Sequence, residues 1–192
     1  MRPLIDRLFP RDPHEPEARL LYGHVVSQAR APRFYENLGV PDSVDGRFEL
    51  LLLHAFLMFD RLRVEGDEAR ELSDSLFALM VYDFDQSLRV SGVGDLGVGP
   101  RMKRMGEAFY GRLHAYTTAA GTGSGALAAA LRRNLYGTCG QVDEAVLSAM
   151  ADYVLAERLR LRSLPVTALL TQNAVFGAPP ERFGPEAGSG AA

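Results

Sequence analysis

The sequence predicts an all-α fold, a single globular domain of six to eight helices with no significant sheet. Apolar residues recur at helical spacing in one segment after another, and Ser, Asp, Pro and Gly stand between these segments, where helices begin and end. No window combines apolar–polar alternation with an excess of β-branched residues, as a half-buried strand would. We divide the 192 residues into an N-terminal arm (1–11), a helical domain (12–176) and a tail (177–192) whose Pro and Gly content predicts disorder.

The first half of the chain is predicted to form four helices, each bounded by a capping residue or a helix breaker. Asp12 is expected to cap the first helix, with Pro13 in its first turn. Asp42 or Ser43 begins the third, and Asp67 caps the fourth. The expected spans are 12–30, 33–38, 43–65 and 67–90.

The centre of the third helix, Leu50–Phe59, contains no charged residue apart from a possible charge on His54. Apolar residues occur all round this segment, which is typical of a central core helix or of a helix covered by a partner. We interpret the segment as core, and His54 as an interior histidine whose polar atoms have partners.

The second half of the chain is predicted to be helical as well. Pro100 is expected at the first position of a helix that reaches about Tyr116, and Gly121–Gly125 forms a break after it. Arginines near the end of the penultimate predicted helix suit the negative end of the helix dipole. The further expected spans are 124–136, 141–164 with Arg158, Arg160 and Arg162, and a short turn or helix within 166–176.

A glycine-dense segment, Gly92–Gly99, connects the two halves and carries four glycines in eight residues. Glycine loses more conformational freedom on folding than any other residue, so the segment is predicted to need positive φ or close approach by another group. Its residues Gly-Val-Gly-Asp-Leu-Gly match the pattern G-x-G-x-x-G. This pattern indicates a dinucleotide site only where a strand precedes it and a helix follows it. Because an amphipathic helix precedes it, we reject dinucleotide binding, and no Gly-Lys-Ser/Thr supports a phosphate loop.

Basic residues follow the glycine segment. Free amides at the expected helix start near Pro100, with Arg101, Lys103 and Arg104, would form a site that favours anions. Its occupant is open at this point: Asp95 of the same chain, a lipid phosphate, RNA or an acidic peptide. Residues 41–95 carry a net charge of −7 and residues 99–133 a net charge of +5. A further alternative is therefore that these two oppositely charged segments attract each other inside the fold.

Composition limits the compartment and the partners. The net charge of −3 gives no overall nucleic-acid signature, so no DNA partner is expected. The single cysteine, Cys139, excludes an internal disulfide and suits a reducing compartment, and the preference for arginine over lysine suggests a bacterial source. Without a secretory signal or a membrane span, we expect a cytoplasmic protein. The apolar, arginine-flanked arm leaves peripheral contact with the cytoplasmic face of the inner membrane as an alternative.

No catalytic or metal-binding constellation is evident. The four histidines do not stand at metal-ligand spacing, and G-x-S-x-G is absent. Asp83 and Asp85 lie two residues apart, so on a helix they point roughly 200° from each other and cannot readily chelate one ion. We therefore expect no enzymatic activity, no metal and no cofactor. Catalysis by Cys139 or His54 stays an alternative.

Three stretches carry a resemblance to a known family: Val40–Leu50 with Leu53-His54 after it, the glycine segment, and Ala108–Arg112 with the letters Ala-Phe-Tyr-Gly-Arg. Over roughly residues 15–178 the chain resembles the ubiquinol–cytochrome c chaperone family. The resemblance implies a non-enzymatic helical chaperone that promotes assembly of the cytochrome bc complex, respiratory complex III. The implied partners are newly made cytochrome b and the ribosome near the tunnel exit. No haem-ligand motif is present, so we do not infer haem binding.

The resemblance and the charge pattern together predict a client-facing surface around the glycine segment. Apolar contact would come from the Leu50–Phe59 helix or from Met102 and Met105, because methionine adapts to varied surfaces. An alternative is a peripheral membrane or anionic-lipid-binding helical module, in which the basic residues meet lipid headgroups. The residues predicted to bind the client or a partner are Asp45, Arg47, Gly94, Asp95, Gly97, Gly99, Arg101, Lys103, Arg104, Phe109, Tyr110 and Arg112.

Overall fold

The computed structural model describes residues 12–90 and 95–181, with the backbone alone at Asp95 and Leu96. These residues form eight α-helices and one 3-10 turn (Gly66–Ala69) and no strand, which confirms the predicted all-α fold. The predicted arm, Gly94 and residues 182–192 of the predicted tail lie outside the described residues. The helices are α1 (Glu15–Ala29), α2 (Pro32–Glu36), α3 (Val44–Val64), α4 (Arg70–Val90), α5 (Asp95–Thr122), α6 (Ser124–Asn134), α7 (Glu144–Ser163) and α8 (Val166–Thr171).

Helix α3 is the centre of the domain and packs against α1, α4, α5 and α7. Every residue of Leu52–Met58 is buried, because this segment offers no polar face to water. Each large apolar side chain buried in this way contributes about 1.5–3 kcal/mol to stability. The interpretation of this segment as core is confirmed. Around it, α1 pairs with α4, α6 pairs with α7, and α5 contacts both α4 and α6.

Two of the predicted helix starts are wrong. Helix α1 begins at Glu15, and the carboxylate of Asp12 accepts a hydrogen bond from the His14 backbone N–H at 2.9 Å in the preceding turn. Asp67 lies inside the 3-10 turn, so it does not cap α4. Aspartate stabilises turns as well as caps, and its residue type alone does not choose between them. The start of α3 is confirmed, since the Ser43 hydroxyl accepts a hydrogen bond from the third residue of the helix at 3.1 Å.

Helix α5 is longer at both ends than predicted, and Pro100 lies inside it. Gly97 and Gly99 are therefore helical, and the predicted turn does not reach them. Val98 in this first part of α5 is buried, at 4% exposure, and this burial favours the helix over the low helix propensity of glycine and proline. The predicted break after α5 contracts to Gly123, which adopts a φ of +137°.

Hydrogen bonds fix the segment after α8 across α1 and α7. Gln28 Nε2 donates to the Gly177 carbonyl at 2.7 Å and to the Tyr153 hydroxyl at 2.8 Å, and the Gly177 N–H donates to Glu157 at 2.9 Å. The Tyr153 hydroxyl also lies 3.0 Å from Nε2 of the buried His54. His54 is thus the satisfied interior histidine that the sequence predicts. Gly177 belongs to the packed domain, and disorder in the rest of the predicted tail stays a prediction.

Candidate functional site

A cleft of about 640 Å³ opens between the first five helices, and we call it the five-helix cleft. Its volume lies in the range of sites that enclose a small ligand or the side chains of a bound segment. The floor is apolar and comes from all five helices. The apolar lining residues are Val26, Ala29, Pro32, Val44, Phe48, Leu51, Phe84, Leu88 and Met105.

Four of the eight polar side chains that line the five-helix cleft are hydrogen-bonded to each other, in two pairs. The Tyr22 hydroxyl donates to Asp83 at 2.6 Å, and Arg47 Nε donates to Asp42 at 2.6 Å. Burial, with the neighbouring Asp83 carboxylate, raises the pKa of Tyr22 above its ordinary value, so this hydroxyl stays protonated. The Tyr35 hydroxyl donates to the main chain of α1 at 2.6 Å. Because these groups are already paired, the cleft suits an apolar occupant better than a charged one.

A second, smaller cavity of about 140 Å³ lies between α4 and α5 and shares Phe84 and Met105 with the five-helix cleft. Methionine side chains are unbranched and flexible, so this wall can adapt to an occupant. The lining residues are Phe77, Met80, Val81, Phe84, Met102, Met105, Gly106 and Phe109. We call this second cavity the α4–α5 seam, and it extends the apolar surface of the five-helix cleft.

The helix start that we predicted at Pro100, and with it the anion site, is not present in the structure. The site requires unpaired amides at a helix start, but α5 begins at Asp95 and continues through Pro100. The G-x-G-x-x-G match also follows a helix, since α4 extends to Val90, which confirms the predicted helix before the motif; a dinucleotide site requires a strand there. An added Cβ on Gly99 would meet no atom of the described chain within 4 Å, so the domain itself does not require glycine at this position.

Three basic residues near the start of α5 are exposed to solvent. Arg101, Lys103 and Arg104 project from the helix outside the cleft lining, and Lys103 lies 3.9 Å from Glu107 on the next turn. An exposed pair at this distance contributes little to stability. These three cations are available to a partner, and their predicted role stays a prediction.

Two residues of the predicted surface instead hold α5 against the rest of the domain. Phe109 is 4% exposed and packs edge-on against Phe59, with ring centroids 5.3 Å apart. Arg112 forms a bidentate ion pair with Glu49 of α3, with contacts of 2.8 and 2.5 Å, and this carboxylate raises the pKa of the guanidinium. Tyr110 is 59% exposed and keeps a free face.

Asp45 is exposed in the first turn of α3, where the positive end of the helix dipole stabilises a carboxylate. Among the predicted residues that the structure describes, Arg47 alone lines the five-helix cleft. Sequence reasoning missed the remaining lining residues because each helix contributes only a few of them. Two signals were available: Met105 and the Leu50–Phe59 segment were both offered as client contacts, and Met105 and Leu51 both line the cleft.

In the described parts of the chain, no group of three or more His, Cys, Asp and Glu side chains is placed to hold a metal ion. Cys139 is half-buried, and its backbone N–H donates to the Tyr136 carbonyl at 2.9 Å. No helix among the described residues combines the length and the apolar character needed to cross a membrane.

Comparison with known proteins decides the family. The family model described as ubiquinol-cytochrome C chaperone matches residues 36–176, which include all of α3–α8. The chain belongs to the ubiquinol-cytochrome C chaperone family. The matched residues include the whole α4–α5 seam and part of the lining of the five-helix cleft.

Two relatives place the chain further within the chaperone family. The ubiquinol-cytochrome-c reductase complex assembly factor 1 of Xenopus laevis is 27% identical over 115 residues, which are 60% of this chain and 58% of that protein. The chain thus spans less than two thirds of that relative's length. The crystal structure of the Cbp3 homolog from Brucella abortus is 35% identical and superposes with a TM-score of 0.75, covering 91% of this chain and 97% of that one.

Proposed function

We propose that this chain is a non-enzymatic assembly chaperone that binds newly synthesised cytochrome b and promotes assembly of the cytochrome bc complex. Family membership supports the assembly role, as does similarity to a protein named for assembly of the ubiquinol-cytochrome-c reductase complex. The observation that carries the binding role is the five-helix cleft, an apolar depression in which Tyr22, Tyr35 and Arg47 already have hydrogen-bond partners. Cytochrome b is a membrane protein, so before insertion its apolar segments need such a cover.

In this proposal the client segment lies along the five-helix cleft and the α4–α5 seam. Leu51 and Leu88 would contact its apolar side chains from two sides, and Met105 would adapt between them. The exposed basic residues of α5 would face the ribosome near the tunnel exit or anionic headgroups of the inner membrane. The cleft thereby selects the client, and the basic side of α5 places the chaperone where the client emerges.

A charge placed in the cleft tests the proposal. Leu88→Glu puts a carboxylate on a half-buried wall position of α4. Desolvating an unpaired polar group costs on the order of 2 kcal/mol, so we expect roughly 30-fold weaker binding of cytochrome b. Chemical crosslinking in intact cells, with detection of cytochrome b and of assembled cytochrome bc complex, measures this.

Val90→Glu is the matched control for this variant. Val90 lies on the same helix, is 88% exposed and does not line the cleft. Its crosslinking should equal that of the parent, and circular dichroism should show that both variants keep their helices. If Leu88→Glu crosslinks cytochrome b as well as the parent does, the cleft is not the client site.

The basic side of α5 gives a second prediction. Arg101→Glu together with Lys103→Glu reverses two exposed charges, and we expect reduced crosslinking to cytochrome b with unchanged helical content. Sedimentation with anionic liposomes at low salt distinguishes this role from the alternative of a lipid-binding module. If the double variant loses liposome binding but retains cytochrome b crosslinking, these residues serve membrane contact and not the client.

A further inference from the structure

At the far end of α3 from the cleft, three arginines surround one buried carboxylate. The side chain of Asp60 is 1% exposed. Arg158 donates to it from Nε at 2.9 Å and from Nη2 at 3.2 Å, and Arg162 donates from the same two atoms at 2.8 and 2.9 Å. Arg63, the third arginine, adds a fifth contact at 3.1 Å. One carboxylate therefore orients three guanidinium groups.

Within residues 12–90 and 95–181, Asp60 is the only acid paired with these three arginines, so two formal positive charges have no counter-charge there. The nearest acid along α3, Glu65, is already paired with Arg61. Asp67 and Glu68 of the 3-10 turn form no ion pair with the three arginines in the described part of the chain. Arg158 Nη1 also donates to the Ala120 carbonyl, in the last turns of α5, at 3.4 Å.

The excess charge reaches the surface together with apolar side chains. The side chains of Arg63 and Arg162 are 64% and 31% exposed, so their remaining N–H groups are available to a partner. Val64 follows Arg63 on α3 and is 54% exposed, and Leu159 lies one turn before Arg162 on α7 and is 71% exposed. We call these four residues with Arg158 the arginine surface. Because Asp60 holds the guanidinium planes in place, less conformational entropy is lost when an anion binds.

We propose that the arginine surface is a docking site for an acidic protein segment in which carboxylates alternate with apolar side chains. An oriented guanidinium matches a carboxylate with two parallel hydrogen bonds. Val64 and Leu159 would contact the apolar side chains of the same segment. Single-stranded RNA is bound on aromatic stacking platforms, and the residues that form this surface include no aromatic side chain. Arg63 of this surface lies about 18 Å along the α3 axis from Leu51, the nearest α3 residue of the five-helix cleft, so the two sites are separate on the domain.

A synthetic helical peptide built from Leu and Glu is the probe, and its fluorescence anisotropy with the full chain measures binding. We expect Arg63→Gln to weaken binding about tenfold, and Arg63→Gln with Arg162→Gln about 100-fold, because charge-assisted hydrogen bonds are lost. The control is Arg19→Gln, which removes an arginine that is 61% exposed and paired with Glu15 on α1. The control should bind the peptide like the parent.

Several outcomes would overturn the proposal. They are no binding of the peptide, equal binding by the double variant, and equal binding of a peptide in which Gln replaces every Glu. If the substitutions weaken binding to poly(U) RNA or to anionic phospholipid vesicles and leave peptide binding unchanged, the surface serves one of those partners instead. Arg63→Gln alone keeps the test valid if the double variant does not fold. Leu88→Glu should not affect peptide binding, which separates this site from the five-helix cleft.

Discussion

Asp60→Ala is expected to lower the free energy of unfolding by about 3–5 kcal/mol, because removing one partner of a buried ionic group leaves the others uncompensated. The carboxylate accepts hydrogen bonds from Arg63, Arg158 and Arg162, and it joins α3 to α7. Burial alone would raise the pKa of Asp60, but the arginine hydrogen bonds outweigh it and hold the pKa below its ordinary value. The interaction is therefore complete at neutral pH and is lost as the carboxyl group becomes protonated in acid.

Urea unfolding followed by circular dichroism at neutral pH measures this effect. Asp60→Asn keeps the shape and one acceptor atom, so its loss of stability should be smaller than that of Asp60→Ala. Arg63→Gln is the control from the exposed side of the same cluster, and it should cost less than about 1 kcal/mol. If Asp60→Ala costs no more than Arg63→Gln, the carboxylate does not organise the arginines.

This cluster also shows where sequence reasoning ends. The arginines at the end of α7 were interpreted through the helix dipole, but Arg158 and Arg162 bind Asp60, about 100 residues earlier in the chain. Their spacing of four residues places both on one side of α7, which is compatible with either interpretation. The choice between them depends on how α3 and α7 pack, and no local pattern contains that information.

Helix α3 could be predicted because its evidence is local. An uncharged segment such as Leu50–Phe59 has to be buried in any fold that the chain adopts, and Ser43 is a favourable cap. The start of α5 could not be predicted, because glycine and proline favour a turn when only local propensity is considered. The burial of Val98 reverses that preference, and this burial is a property of the complete fold.

The five-helix cleft has no sequence signature for a similar reason. Its walls combine a few residues from each of five helices, among them Val26, Leu51 and Leu88. Each of these residues fits the apolar face of its own helix, so the pattern predicts core for all of them. The cleft exists only because the five faces do not close on one another. The resemblance to the chaperone family predicted a client-binding surface, but we expected that surface around the glycine segment and not in this cleft.

Acidification is expected to destabilise the domain through His54, by about 3 kcal/mol when the pH falls from 7 to about 4. The side chain is fully buried. Nδ1 lies 2.9 Å from the Leu50 carbonyl, so Nδ1 carries the proton and donates it. Nε2 therefore accepts the hydrogen bond from the Tyr153 hydroxyl at 3.0 Å, which itself accepts from Gln28. A second proton on the ring would break this chain of hydrogen bonds.

Burial in these surroundings lowers the pKa of His54 from 6.5 to about 4. The unfolded chain binds the proton at about pH 6.5, and the folded chain does so only near pH 4. Stability is therefore complete above pH 6.5 and declines between these two values. About 2 kcal/mol should be lost already at pH 5. Urea unfolding at about pH 7 and pH 5 measures the difference.

His54→Gln should lower stability at both pH values but remove about 2 kcal/mol of the difference between them, because glutamine does not titrate. Burial also lowers the pKa of His24, so His24→Gln is the matched control. His24 is only half-buried and should account for a smaller part of the pH dependence. If His54→Gln retains the full difference between pH 7 and pH 5, the destabilisation in acid arises elsewhere, and the His54–Tyr153–Gln28 chain is not the element that fails first.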